Sequence, residues 1–168
     1  MEWGISLLTG RNFERYFAKF LREHNFEHVA FNESEETKVL RQWDVKGVYR
    51  GKEWTFEVKA DIESSNTSNL VLETHQYDFK SNTFVPSGIL ITKADYWVQF
   101  IRDPDVFVIL PTSKLRYLLP KYARRFIAMG DYIDGVMKRC LGFLISKEDF
   151  LAFSKDSIHE YQISEIEG

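Results

Sequence analysis

The hydrophobic positions near the start of the chain repeat with the period of a helix. In residues 12–24 the apolar side chains recur at intervals of three and four, at Phe13, Tyr16, Phe17, Phe20 and Leu21. This spacing is typical of an amphipathic helix that packs one face on a core. Thr9 and Gly10 offer a cap and a loop, so the helix is predicted to begin near Arg11. Glu14 falls on the border of the apolar stripe, from where its carboxylate can point into a site.

Two runs of strand-forming residues, 39–49 and 54–60, come after a polar loop. The four residues between them, Arg-Gly-Lys-Glu, are typical of a tight turn. We therefore predict a β-hairpin whose two-residue turn is formed by Gly51 and Lys52.

The register of this hairpin decides which side chains share a face. A turn at Gly51 and Lys52 places Asp44 opposite Lys59, and it places Lys46 opposite Glu57. One face of the hairpin is then wholly apolar and the other is polar and charged. A slip by one residue would mix carboxylates with tryptophans on one face, which a half-buried sheet does not tolerate. The side chains of Asp44, Glu57 and Lys59 are therefore predicted to converge.

Further strand-like runs follow along the chain. They cover residues 70–74, 88–92, 96–101, 106–110 and 140–145. Pro104 lies in an Asp-Pro-Asp turn, so the runs on either side of it are predicted to pair as a second hairpin. The sheet is predicted to contain five or six strands.

Two more helices are predicted in the second half of the chain. The first begins at Thr112 or Ser113 and runs to about Phe126, with a bend or an end at Pro120. The second is short and is opened by a capping residue, Ser146. The polar tail, residues 155–168, is expected to be loosely held.

Composition narrows the class of protein. The 168 residues are 44% hydrophobic, which fits one packed domain spanning residues 1–168. A single cysteine, Cys140, predicts a reducing cytoplasmic setting. No signal peptide is expected from residues 1–5, and no apolar run in the sequence is long enough to cross a membrane. The net charge of −3 argues against a protein that coats nucleic acid by bulk electrostatics, so any contact with DNA must be local.

One segment of twelve residues carries a local positive charge. Its basic residues are Lys114, Arg116, Lys121, Arg124 and Arg125. We predict that they contact nucleic acid; a solvated helix face is the alternative interpretation of such a run.

The candidate chemistry depends on an acid-x-lysine motif. The sequence contains four such motifs, beginning at Glu36, Asp44, Glu57 and Asp78, where about two are expected by chance. Only Glu57-Val58-Lys59 has a carboxylate facing it from a preceding paired strand. Paired carboxylates suit Mg²⁺, and a neighbouring lysine can orient water or stabilise developing negative charge. The alternative is an exposed sheet face with surface ion pairs.

With these residues the chain resembles the PD-(D/E)XK nucleases, which include restriction enzymes, archaeal Holliday-junction resolvases and many phage or repair nucleases. The resemblance covers roughly residues 11–118 and implies a restriction-endonuclease-like αβββαβ core with a mixed central sheet flanked by helices. It implies that Asp44, Glu57 and the Val58 carbonyl bind Mg²⁺, for which Mn²⁺ would substitute. It also implies that Lys59 assists the attacking water and that Glu14, the helical acid of the resolvase-like branch, is a catalytic residue and a further metal ligand. One departure is Trp43, which precedes Asp44 where the motif has proline.

Three further residues have two interpretations each. Glu73 is an extra metal ligand or an acid that orients a ligand, and alternatively a charge at a strand end. Thr92 and Lys93 are predicted to contact phosphate, whereas a lysine at a strand end is often only solvated. None of the four histidines has the spacing of a metal ligand.

These observations predict a Mg²⁺-dependent nuclease that hydrolyses DNA, of a structure-selective or repair type, in the cytoplasm of a bacterium or of a phage-infected host. A homodimer is expected because resolvase-like relatives are often dimers. The alternative is an inactive nucleic-acid-binding or protein-interaction module with the same fold.

Overall fold

The computed structural model describes residues 10–32, 43–61, 68–101, 106–123, 125–133, 136–154 and 160–162. Its helices are α1 (Gly10–Glu23), α2 (Thr112–Tyr122) and α3 (Lys147–Ser154), and a 3-10 helix covers Gly88–Leu90. Its strands are β1 (Glu27–Phe31), β2 (Val45–Tyr49), β3 (Lys52–Asp61), β4 (Asn69–Asp78), β5 (Thr83–Pro86), β6 (Tyr96–Ile101), β7 (Val106–Pro111), β8 (Arg125–Ile133), β9 (Val136–Ser146) and β10 (Glu160–Gln162). None of the helices in these ranges has the length and hydropathy needed to cross a membrane.

A mixed sheet of six strands forms the centre of the fold. Its strand order is β1-β2-β3-β6-β7-β10, and β3 pairs with β6 in parallel while the other neighbours are antiparallel. The predicted α/β class and the mixed central sheet with flanking helices are confirmed. The pairing of β6 with β7 also confirms the second predicted hairpin.

The register of the first hairpin differs from the prediction by two residues. The two-residue turn is formed by Arg50 and Gly51, which have φ angles of 50° and 76°. Positive φ at both central positions is the geometry whose twist matches a hairpin, and glycine adopts it at little cost. Val45 is consequently opposite Phe56, and Lys46 is opposite Thr55 rather than Glu57.

A shift of two residues leaves every side chain on the face predicted for it, because the side-chain period of a strand is two. The predicted pairing of Asp44 with Lys59 is nevertheless wrong. Asp44 precedes β2, and its N–H donates to the carbonyl of Phe56, at 2.9 Å. Asp44 is therefore level with Glu57. Residues 39–42 of the predicted first strand lie outside the described residues.

Helix α1 confirms the predicted amphipathic helix. Phe17 is fully buried on it, and its ring lies 4.9 Å from that of Phe56 on β3 and 6.0 Å from that of Phe107 on β7. Phe56 and Val58 belong to this aromatic core. Because side chains alternate along a strand, Glu57 and Lys59 project from the opposite face of β3.

The opposite face of the central sheet is covered by a second sheet, which the sequence did not predict. Its four strands are antiparallel in the order β5-β4-β9-β8. The strands predicted at residues 70–74 and 140–145 belong to it, as parts of β4 and β9. Leu70, Leu72 and Ile145 are buried with Trp97 of the central sheet and Leu115 of α2.

Three other predictions need correction or confirmation. Helix α2 ends at Tyr122 rather than near Phe126, two residues after Pro120, and β8 follows at Arg125. The capping residue of α3 is confirmed, since the N–H of Asp149 donates to Ser146 Oγ at 3.0 Å. The prediction of a loosely held tail is wrong for Glu160–Gln162, because this strand pairs with β7. The rest of the tail, residues 155–159 and 163–168, lies outside the described residues.

The strand predicted at residues 88–92 is instead a 3-10 turn. Gly88 has a φ of 51°, and its carbonyl accepts the N–H groups of Ile91 and Thr92, at 3.2 and 3.1 Å. Ile89 is buried, whereas Leu90 and Ile91 are 46% and 47% exposed. The apolar composition of Gly-Ile-Leu-Ile suggested a buried strand, but only the tight turn fits the left-handed backbone of Gly88.

Candidate active site

The central hairpin brings two acids together at one position along the sheet. The Val58 N–H donates to Asp44 Oδ2 at 2.8 Å, so the Asp44 carboxylate lies against the backbone of β3 next to Glu57. Asp44 and Glu57 are only 8% and 9% exposed. The carboxylate pair predicted from the sequence is therefore formed, although through a different register.

Glu57 is held from two sides. Thr92 Oγ1 donates to Glu57 Oε2 at 3.2 Å, and Lys59 Nζ lies 3.4 Å from Glu57 Oε1. The side chain of Lys59 is 44% exposed. The carboxylate consequently has a fixed orientation between a buried hydroxyl and a partly exposed cation.

The electrostatics of this group favour a bound cation. Burial, and then the charge of Asp44, raise the pKa of Glu57 from 4.5 to about 7, against the opposing effects of Lys59 and Thr92. Burial would lower the pKa of Lys59, but the charges of Glu57, Asp44 and Glu73 outweigh it and raise that pKa. Lys59 is therefore a cation at neutral pH, which suits it to donate hydrogen bonds and to stabilise negative charge rather than to accept a proton.

The raised pKa of Glu57 predicts a pH-dependent stability. Between pH 4.5 and about 7 the folded protein retains a proton that the unfolded chain has released, so the free energy of unfolding falls as pH rises through this interval. The expected loss for this group is about 3 kcal/mol. Urea unfolding at several pH values, without divalent ions, measures it. Glu57→Gln should flatten the profile, and an unchanged profile would contradict the assignment.

Glu73 reaches the site from the second sheet. It lies on β4 at a bulge in the pairing with β9, and its Oε2 accepts a hydrogen bond from Ser87 Oγ at 3.0 Å. Its charge also helps to raise the pKa of Lys59. Glu73 is therefore more than a charge at a strand end, while its role as a metal ligand stays a prediction.

Glu14 is buried on α1, with 7% of its surface exposed. Helix α1 packs on the Phe56 and Val58 side of β3, whereas Glu57 projects from the other side. The structure thus brings Asp44, Glu57 and Lys59 together, with Glu73 near enough for its charge to act on Lys59, and the side chain of Glu14 starts from the other face of the sheet. Its catalytic role stays a prediction.

The predicted nucleic-acid contacts do not form one basic helix face. Lys93 and Lys121 are exposed, and Lys121 donates to Tyr117 Oη at 2.5 Å. Lys114 is half-buried, Arg124 lies outside the described residues, and Arg125 lies on β8 rather than on a helix.

Two of the predicted nucleic-acid contacts have hydrogen-bond partners within the protein, and their contact with DNA stays a prediction. Thr92 is buried, and its hydroxyl donates a hydrogen bond to Glu57. Arg116 donates to the backbone carbonyls of Ile89 and Thr92. The bond between Thr92 and Glu57 joins positions 35 residues apart, so no local sequence pattern could have indicated it.

The oxygen atoms of Asp44, Glu57 and Val58 are the kind of ligand that a hard divalent cation prefers, but only two of these ligands are side chains. Within the described ranges no three His, Cys, Asp or Glu side chains are grouped so as to hold a metal ion. The candidate ligands are thus a carboxylate pair, Asp44 and Glu57, and the carbonyl of Val58, the residue after Glu57. Burial and then the charge of Asp44 raise the pKa of Glu57, and a cation between the two acids would relieve their repulsion.

Comparison with known proteins supports the fold. No protein-family model matches the chain, and no curated protein matches it. Among solved structures, the bacterial homing endonuclease I-Ssp6803I is similar, with a TM-score of 0.50 and 16% sequence identity over 66% of this chain and 72% of that one. The chain shares the fold of an endonuclease. The predicted endonuclease-like core is confirmed at the level of the fold.

Proposed function

We propose that the chain is a divalent-metal-dependent nuclease of the PD-(D/E)XK type that hydrolyses DNA phosphodiester bonds. The observation that carries the proposal is the buried pair of carboxylates, Asp44 and Glu57, beside the cation of Lys59. A buried pair of like charges costs folding free energy, so its presence favours a function over a structural role. The endonuclease fold supports the same conclusion.

Each residue of the site has a separate part in this function. Asp44, Glu57 and the Val58 carbonyl would hold Mg²⁺, with Mn²⁺ as a substitute. When bound, the ion would neutralise charge on the scissile phosphate and lower the pKa of a bound water. Thr92 fixes the orientation of the Glu57 carboxylate through its 3.2 Å hydrogen bond. Lys59, protonated at neutral pH, orients water and stabilises the negative charge that develops on the phosphate.

DNA is the proposed substrate because the similar solved structure is a homing endonuclease. Lys93, next to Thr92 and exposed, is the predicted phosphate contact nearest the site in sequence. A homodimer and a cytoplasmic location, in a bacterium or a phage-infected host, remain parts of the proposal.

An inactive nucleic-acid-binding module is the second candidate. The observation that favours it is the absence, within the described ranges, of a third acid or histidine grouped with the carboxylate pair. Such a module would bind DNA with no need for the charge of Lys59 or for a divalent ion.

Cleavage assays separate these candidates. Supercoiled, linear, single-stranded and branched DNA are incubated with the protein in Mg²⁺ or Mn²⁺, beside Lys59→Met and Asp44→Asn. We expect cleavage of at least one substrate by the unaltered protein, and a loss of about a hundredfold for Lys59→Met, the usual effect of removing one group that stabilises developing charge.

The matched control is Lys52→Met, which removes an exposed lysine from the same strand. Lys52 lies over the ring of Trp54 at 3.9 Å, at the start of the strand. This variant should cleave at the unaltered rate. Absence of metal-dependent cleavage of every substrate, or equal cleavage by Lys59→Met and Lys52→Met, would reject the nuclease.

A further inference from the structure

The segment between β5 and β6, residues 87–95, which we name the site loop, is anchored at its start to the second sheet. The Ser87 N–H donates to the Thr74 carbonyl at 2.8 Å, and Ser87 Oγ donates to Glu73 Oε2 at 3.0 Å. A Cβ atom on Gly88 would lie 2.3 Å from the Glu73 carbonyl oxygen. The backbone of the loop thus lies directly on β4, as only glycine permits.

The other end of the site loop is anchored to the central sheet. Asp95 Oδ2 accepts the N–H of Thr55 on β3 at 2.9 Å, and the Asp95 N–H donates to Thr55 Oγ1 at 3.0 Å. Thr55 is two residues before Glu57 on the same strand. The loop is therefore tied to both sheets that enclose the acid pair.

The middle of the site loop is held by a side chain from α2. Arg116 Nε donates to the Ile89 carbonyl at 2.7 Å, and Arg116 Nη2 donates to the Thr92 carbonyl. These two donors lie on one edge of the planar guanidinium, so both carbonyls are held at a fixed separation. A lysine, with a single ammonium group, cannot reproduce this geometry.

The residue held in this way is the one that contacts the acid pair. Thr92 Oγ1 donates to Glu57 Oε2, and it also accepts the Ala94 N–H at 3.3 Å. Because the hydroxyl oxygen of Thr92 accepts the Ala94 N–H, the single hydroxyl proton is available for donation to the Glu57 carboxylate. Thr92 is 4% exposed, so this hydrogen bond is buried.

We propose that Arg116 is a positioning residue of the active site: it clamps the site loop at Ile89 and Thr92, and through the Thr92 hydroxyl it fixes the Glu57 carboxylate for a divalent cation. The part that concerns the cation rests on the proposed function. The sequence alone had suggested Arg116 as a DNA contact. Its hydrogen bonds to two backbone carbonyls indicate that Arg116 supports Glu57, a proposed metal ligand, through Thr92. Loss of a residue that supports a metal ligand typically weakens metal affinity ten- to a hundredfold.

Four variants and one control test this inference. Arg116→Met removes the clamp and keeps the side-chain length, and Arg116→Lys restores the charge without the fork. Thr92→Val removes the hydroxyl, and Arg116→Met with Thr92→Val combines the two losses. Arg22→Met is the control, because Arg22 is an exposed arginine on α1.

Two measurements are made without DNA. The first is Mg²⁺ affinity by calorimetry; we expect about tenfold weaker binding in Arg116→Met and Thr92→Val, and no further loss in the double variant because both residues act through Glu57. Arg116→Lys should recover only part of the affinity. The second is the ¹³C NMR signal of the Glu57 carboxyl in metal-free protein, which should move alike in Arg116→Met and Thr92→Val and stay in place in Arg22→Met.

Each outcome decides the matter. A carboxyl signal that Arg116→Met leaves unmoved, or additive losses in the double variant, would overturn the positioning role. The KM for DNA cleavage is also measured for Arg116→Met. A raised KM with unchanged Mg²⁺ affinity would indicate that Arg116 binds DNA, and it would also overturn the positioning role. If the unaltered protein neither binds Mg²⁺ nor cleaves DNA while the carboxyl signal still moves, the proposed function fails and the positioning of Glu57 by Arg116 stands.

Discussion

Glu57→Gln is expected to lower the rate of DNA cleavage about a thousandfold while it makes the metal-free protein more stable. The loss follows from removal of a proposed metal ligand, since several kilocalories per mole of charge stabilisation correspond to about three orders of magnitude in rate. The gain follows from removal of a buried charge whose pKa is raised to about 7. At pH 8 we expect the free energy of unfolding to rise by about 2 to 3 kcal/mol.

The matched control for this substitution is Glu53→Gln. Glu53 lies on the same strand, is exposed, and pairs with Lys46 across the hairpin at 3.7 Å. Exposed pairs of this kind contribute at most about 1 kcal/mol, so both cleavage and stability should be nearly unchanged. Single-turnover cleavage and urea unfolding at pH 8 and pH 4.5 are the measurements. A Glu57→Gln variant that is less stable at both pH values would indicate a structural ion pair instead of a catalytic site.

Local patterns in the sequence predicted the parts of the site that lie within a few residues of one another. Asp44, Glu57 and Lys59 are joined by one hairpin, whose face assignment depends only on the strand period of two. The turn was placed one residue late, at Gly51 and Lys52 instead of Arg50 and Gly51, which moved the register by two. A register error of two residues leaves each side chain on the predicted face of the sheet. The acid pair is therefore predicted correctly despite this error.

Long-range packing determined the parts that the sequence did not predict. The strands containing Glu73 and Cys140 have the same local pattern whichever sheet they join, and only pairing with β8 and β5 assigns them to a second sheet. Residues 88–92 of the site loop are predicted as a strand because Ile89, Leu90 and Ile91 are apolar. Its conformation depends instead on the contact of Gly88 with the backbone of Glu73, 15 residues earlier in the chain.

The two faces of β3 differ in character, since one packs in an apolar core and the other carries charged side chains. This difference explains how a pair of buried acids is tolerated. On one face, Phe56 and Val58 join a core of close-packed aromatic rings with α1 and β7. On the other face, Glu57 is buried beside the site loop and Lys59 is partly exposed. The free energy gained by burying the aromatic face offsets the cost of the charges, and the resulting rigidity keeps the carboxylates in place when no cation separates them.

Phe17→Ala tests this division and is expected to lower the free energy of unfolding by about 3 to 5 kcal/mol, the usual cost of removing a buried aromatic ring. The Phe17 ring is fully buried and packs against Phe20, Phe56 and Phe107. Phe79→Ala is the control, because Phe79 is 58% exposed and its loss should change stability by less than about 0.5 kcal/mol. Urea unfolding measures both variants.

Cleavage by Phe17→Ala, measured at a temperature where the variant is fully folded, should stay within about threefold of the unaltered rate. The reason is that the ring packs on the face of β3 that points away from Glu57, so its loss creates a cavity without moving the carboxylate. Loss of cleavage as large as that of Glu57→Gln in a folded protein would mean that the two faces are not independent. The aromatic core would then set the geometry of the acid pair directly, and the site loop would not be sufficient to hold it.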